Sequence, residues 1–324
     1  MRFSLFSFAK KEDGAVAVIA AISFTAMLIM AGVVIDLGRV YAAASALQSA
    51  ADAAAYAAVA RMPVPVADAA AVENIAKSYA IKNGVTESQV ASISLSQVVA
   101  GRYTAVSVEL VKPVEYLFGS LLGVSGRELM KTAVARVEAI EKTSEMVPLG
   151  ISKARFLEVK GAQDVVIKYG AGDGVQGSYG ALDLDGVKGG GANDYATWLR
   201  EGYTGQISTN DLLITESGNI SGPTDKALSD RYNACTHFPG EGGCTAAQFV
   251  SDCPRVTMLI VYEEQSDSSL LVVGFVPFIL TSPSLYDGDE IRGSLIEMQV
   301  RSGLTTPLDE TNIQYGLFQG RLIG

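Results

Sequence analysis

Histidine is nearly missing from this chain: there is one in 324 residues, with three cysteines and one tryptophan. That leaves little for general acid-base catalysis, which runs most often through imidazole, or for a metal-centred active site. Charge is scarce too, at 19% of residues, and cations are the rarer sign, with 25 Lys and Arg against 35 Asp and Glu. A net charge of -10 excludes a function built on nucleic-acid phosphates. No glycine run is followed by Lys-Ser or Lys-Thr at P-loop spacing, and no G-x-G-x-x-G opens a helix after a strand. Gly177-Ser178-Tyr179-Gly180 does not make the G-x-S-x-G of a serine hydrolase. What is abundant is apolar: 48% of residues are hydrophobic, too many for a disordered chain.

That excess is concentrated near the amino end. Residues 14–35 carry no charge, and 22 helical residues at about 1.5 Å each reach across a hydrocarbon core of roughly 30 Å. Arg2, Lys10 and Lys11 precede the stretch, which would also suit a signal peptide, but signal apolar regions are shorter, so the reading is a retained anchor. Lys10 and Lys11 place the amino terminus in the cytoplasm and the chain after about residue 40 outside. Residues 42–60 are dominated by alanine, with Gln48, Asp52 and Tyr56 on one stripe, so a single helix of roughly 70 Å is expected from 14 to 61, ended by Met62-Pro63-Val64-Pro65. Asp36 and Arg39 are spaced to pair at the outer interface, or to sit separately among headgroups. The small-residue face suits either close approach to another helix or a solvated stalk.

The runs Gly14-Ala15-Val16-Ala17-Val18-Ile19, Val34-Ile35-Asp36-Leu37-Gly38-Arg39-Val40-Tyr41 and Leu47-Gln48-Ser49-Ala50-Ala51-Asp52-Ala53-Ala54-Ala55 resemble the amino-terminal module of the TadE/TadG-like proteins of tight-adherence (Flp) pilus systems. Gly14, Asp36, Gly38, Arg39, Gln48 and Asp52 carry the resemblance. It implies a bacterial protein anchored in the inner membrane that takes part in pilus assembly or export, with pilins, other assembly proteins, lipid and further copies of itself as partners. Prepilin-like relatives have a glutamate five residues after the cleaved glycine, where this chain has Ile19, so residues 1–13 are expected to be retained. The longest relatives carry a metal-dependent adhesion site with D-x-S-x-S, a spacing that Asp267-Ser268-Ser269 does not reproduce.

The fold class expected is α+β in three parts: an anchor and Ala-rich helix over 1–62, a small α-β-β-α-β module over 63–147, and a β-rich extracytoplasmic domain over 148–324. In the second part, residues 66–84 read as a helix with Ala69, Val72, Ala76 and Tyr79 on its apolar face and Asn83-Gly84 at its end. Residues 90–99 and 103–111 read as a hairpin, Pro113 as the start of a short helix through Leu122, and residues 128–139 as a third strand. Glu109, Glu115 and Glu128 read as solvated charges. In the third part, strands are expected over 255–263, 270–280 and 291–300 and short helices over 193–200 and 223–233. Asp183 and Asp185 fit a turn better than a calcium loop. Landmarks of longer relatives resemble residues 180–184, 218–224, 253–255 and 273–275.

Cys235, His237, Cys244 and Cys253 form a C-x-H-x6-C-x8-C pattern. These are the ligand types of a tetrahedral zinc site, without a standard finger spacing. An outward-facing domain favours instead one disulfide among the three thiols, and free thiols are the third alternative. The first functional reading is therefore a non-enzymatic scaffold or minor subunit of pilus assembly, without a resident cofactor and without nucleic acid. The second is an envelope-anchored protein that binds or transforms a small ligand or glycan through the domain holding these cysteines.

Overall fold

The computed structural model describes residues 13–168, 181–186, 191–215, 221–265, 269–285 and 290–323. The chain begins with α1 (Asp13–Val59), β1 (Val64–Pro65), α2 (Ala69–Lys82), β2 (Val90–Val99), β3 (Arg102–Glu115) and β4 (Gly126–Thr143). It continues with β5 (Gly150–Ser152), α3 (Lys153–Val159), β6 (Val165–Lys168), β7 (Leu182–Asp183), α4 (Gly191–Glu201), β8 (Ile207–Ser208), β9 (Leu212–Thr215) and α5 (Ser221–Asn233). The last elements are β10 (Val256–Glu264), β11 (Leu270–Leu280), β12 (Glu290–Leu295), β13 (Met298–Gln299), β14 (Leu304–Pro307) and β15 (Leu317–Leu322). The class is α+β, with a long apolar amino-terminal helix and a β-rich remainder.

α1 is one uninterrupted helix, as an alanine-rich segment without internal proline should be. Its two halves differ in environment. The first is apolar and exposed, with Ile22, Met27 and Met30 all open, so it is not the core helix of a globular domain. The second buries Leu47, Ala50, Ala51, Ala54, Ala55, Ala58 and Val59. Their partners are Val106 and Val108 on β3, Ala133, Ala135 and Val137 on β4, and Val72 and Ala76 on α2. The alanine stripe is thus covered by the chain's own sheet, neither open to a partner helix nor solvated: small side chains let a long helix lie close against strands. On α2 the buried third residue is Ala80, while Tyr79 is exposed.

β2, β3 and β4 run antiparallel in sequence order. Pro113 does not open a helix; it sits within β3 opposite Glu128. Pairing with β2 begins only at Leu110, so β3 has an open edge at Pro113, the position in a sheet that tolerates a residue lacking N–H. Only a turn of 3-10 helix, Gly119–Leu122, follows. The first sheet is then completed from far along the chain. β14 and β15 pair with β4, and β13 pairs with β15. Phe318 on β15 enters the core beneath α1.

The second sheet is built on the β10–β11 hairpin, flanked by β5 and β12, with β6 beyond β12 and β9 on the other part of β11. The stretch 291–300 is therefore two strands in two sheets, β12 and β13, separated at Ile296 and Glu297. One face packs on α3, α4 and α5 through Phe156, Tyr195, Leu199 and Leu228. The other, with Ile260, Tyr262 and Phe275, meets Ile140 and Leu317 of the first sheet. Asp183 Oδ1 accepts from the N–H groups of Asp185 and Gly186, the turn expected there. The glycine runs at 170–174 and 189–190, residues 1–12 and 177–180, and Asp267 and Ser268 lie outside the described residues, together with the readings that fall on them.

Candidate functional site

Two clusters of polar side chains stand out, one along α1 and one in the loop after α5. Along α1, the buried carboxylate of Asp36 accepts hydrogen bonds from the N–H groups of Leu117 (2.7 Å), Phe118 (3.0 Å) and Gly119 (2.7 Å) at the tip between β3 and β4. These donors face the start of the 3-10 turn, where backbone N–H groups have no partners of their own. Arg39 Nη1 donates to the carbonyl of Glu115 on the same tip (2.9 Å). The two side chains thus grip one loop, rather than each other or headgroups alone. Farther along, Gln48 Nε2 donates to Asp52 Oδ1 (2.8 Å) and to the carbonyl of Thr132 on β4 (3.3 Å). Gly14 and Gly38 are exposed, with open space around them.

Three features of this arrangement have no local sequence signal. A Cβ on Gly32 would lie 2.7 Å from Phe118 Cβ, so glycine is what allows the tip to rest on the helix one turn before Asp36. At the far end, Gln299 Nε2 donates to the carbonyls of Val59, which also accepts the Met62 N–H, and of Met62, both at 2.7 Å, and so ties the end of α1 to β13. Glu138 on β4, with its side chain 3% exposed, accepts from Arg136 Nε (2.7 Å), Arg321 Nη1 (3.0 Å) and the Thr305 hydroxyl. Burial works to raise its pKa but is outweighed by these bonds, which hold the carboxyl below its ordinary value. That cluster fastens β14 and β15 to the first sheet.

In the second cluster, the ligating atoms of Cys235, His237, Cys244 and Cys253 all lie within 4.8 Å of one another. All three cysteines are free, and Cys244 and Cys253 are buried. The sequence spacing is unusual because the loop folds back against Val256 and Ile279 of the second sheet. The Cys244 N–H donates to Cys235 Sγ (3.5 Å), and His237 Nδ1 is buried without a hydrogen-bond partner. Arg255 stacks over the Tyr232 ring, 3.7 Å from its centroid, and donates to the carbonyls of Gly242 (2.8 Å) and Cys244 (3.2 Å). Arg231, whose pKa burial lowers to about 10 against the opposing influence of the Cys253 thiol, donates to the carbonyls of Pro254 and Leu199. Tetrahedral zinc, with Zn–S near about 2.3 Å and Zn–N near about 2.0 Å, needs ligand atoms roughly 3.5–3.8 Å apart, a small contraction from this spacing. The cluster can hold a metal ion. A cleft of about 670 Å³ beside Cys253, lined among others by Glu145, Glu201, Arg231 and Arg301, joins acidic and basic groups but no histidine.

Residues 14–61 match the family model described as putative Flp pilus-assembly TadE/G-like, so the resemblance seen in the sequence extends over most of α1. The match supports a role in pilus assembly, and with the apolar first half of α1 it supports anchoring in a membrane. No curated protein and no solved structure matches the chain.

Proposed function

We propose that this protein is a non-enzymatic, single-pass component of Flp pilus assembly that carries a folded ectodomain on a helix fixed to it. The amino terminus lies in the cytoplasm, α1 crosses the inner membrane, and everything after about residue 40 is extracytoplasmic, in keeping with Lys10 and Lys11 before the span. The observation that carries the reading is the use of the matched segment's own polar residues. Asp36 holds the backbone of the tip between β3 and β4, and Arg39 and Gln48 hold that of β3 and β4, so the segment joins membrane to ectodomain without a free hinge. Residues 13–147 then act as one body with β13, β14 and β15, which complete their sheet, and the second sheet with its helices is the part presented to pilins or to other assembly proteins. A rigid mount suits a scaffold that must present a surface at a fixed height and angle.

The test is Asp36→Ala combined with Arg39→Ala in a piliated strain. Expected is a protein still membrane-inserted and abundant, faster hydrogen exchange at the Leu117, Phe118 and Gly119 amides, and loss of filaments. Normal piliation with those amides demonstrably released would refute it. Sheared filaments free of the protein mark it as scaffold, and its presence in them marks it as a minor subunit.

For the ectodomain, the buried unpartnered Nδ1 of His237 favours a structural zinc ion held by Cys235, His237, Cys244 and Cys253 over a disulfide. With four protein ligands such a site is closed to substrate and tightens the loop. The positive charge of Arg231 and Arg255 offsets the excess negative charge of three thiolates. Elemental analysis alongside intact mass decides: one zinc per chain is expected, and a 2 Da loss without metal overturns it.

A further inference from the structure

We propose that the tip between β3 and β4, residues 116–125, sits in the lipid of the leaflet from which α1 emerges, so that the protein holds the bilayer at a second point. This rests on α1 being the membrane anchor. The tip carries no charge from Tyr116 to Gly126, between Glu115 and Arg127. Its apolar side chains point outward: Leu117 is 56% exposed, Leu121 81%, Leu122 61% and Val124 52%. An exposed apolar patch of this kind marks a contact with something apolar.

Position identifies the occupant. The Asp36 carboxylate holds Leu117, Phe118 and Gly119, and Phe118 rests on Gly32, about 6 Å nearer the amino end of the helix at four residues of rise. Gly32 belongs to the uncharged stretch 14–35, so the tip lies alongside the last turn of the span. Arg39, bonded to the Glu115 carbonyl, and the exposed Tyr41 follow on α1, the residue types that populate a membrane-water interface.

Backbone bonding agrees. Lipid offers no partner to a peptide N–H, so a loop there must bond internally. The Leu117, Phe118 and Gly119 N–H groups go to Asp36, Tyr116 N–H to the Ser125 carbonyl, and Leu121, Gly123 and Val124 N–H to carbonyls of the tip itself. The Ser120 hydroxyl donates to the Leu117 carbonyl. A water-facing loop has no need of such closure.

The experiment uses the full chain, with Trp198→Phe as background, in vesicles of phosphatidylethanolamine and phosphatidylglycerol containing phosphatidylcholine brominated along its acyl chains. Tryptophan is placed singly at Leu121, at Met27 in the span, and at Val98, which is exposed near the opposite end of β3. Leu121→Trp is expected to shift to the blue and to be quenched as strongly as Met27→Trp, with Val98→Trp unquenched. Quenching of Met27→Trp without Leu121→Trp overturns the proposal, as does crosslinking of position 121 to a second copy in place of quenching. Loss of quenching at Met27 as well refutes the anchor itself.

Discussion

Phe318→Ala tests whether the first core depends on a strand made near the end of the described chain. The ring is 2% exposed and belongs to the cluster of Ala54, Ala58, Val106 and Val137, while its backbone is paired with Ala139 on β4. Truncating a buried phenylalanine costs about 3–5 kcal/mol, from lost apolar transfer and from the cavity left behind. The upper half of that range is expected, because a rigid α1 on one side and a sheet on the other limit collapse around the hole. At about 1.4 kcal/mol per tenfold, amides of α1 from Ala50 to Val59 that exchange by opening of this core should exchange roughly seven hundred to four thousand times faster. The assay is hydrogen exchange on the detergent-solubilised or nanodisc-embedded protein, with Leu322→Ala, 43% exposed on the same strand, as the control expected to change little. Unchanged exchange across residues 50–59 in Phe318→Ala would show that β15 does not complete the core beneath α1.

Gln299→Ala should destabilise the same module by about 1–3 kcal/mol, from two hydrogen bonds of about 0.5–1.5 kcal/mol each, and should fray α1 at Val59 first, read by exchange at residues 55–59. Glu138 sets a pH dependence. Its pKa is held below the ordinary 4.5, so the stability it contributes is full above that value and is lost as pH falls through the lower folded value. The melting temperature of wild type should therefore fall more steeply below about pH 4.5 than that of Glu138→Gln, and parallel curves would remove Glu138 from the account. Cys244→Ser should abolish bound zinc and lower the melting temperature, whereas the same substitution followed by an unchanged metal content would exclude Cys244 as a ligand.

What sequence could reveal follows the range of the interactions. The helices over 14–59 and 69–82 and the strands over 90–99, 256–263 and 270–280 were legible because alanine content, an apolar helical face and short apolar runs are local properties. The partner of the alanine stripe was not, since nothing in residues 42–60 says whether strands or another helix will cover them. Pro113 misled for a related reason: its tolerance in β3 depends on where β2 stops pairing, a property of another strand. Asp36 and Arg39 were visible as polar residues past a span, and their spacing suggested each other, but their partners lie 76 to 83 residues away. The uncharged run from Tyr116 was the available signal for the tip. For the cysteine cluster the ligand types were legible and their convergence was not, because it is the return of the loop against β10 and β11 that closes the spacing.

The return of β15 to β4 has a consequence for biogenesis. In the proposed topology, the part of the ectodomain nearest the membrane is finished by residues 317–322, which leave the ribosome and would cross the membrane after α1 has been inserted. Until they arrive, the far half of β4 has an unpaired edge and α1 covers an incomplete core. In that topology the fixed mount would form only on chains made through that strand, so completion of the first core would report that the whole chain has been produced.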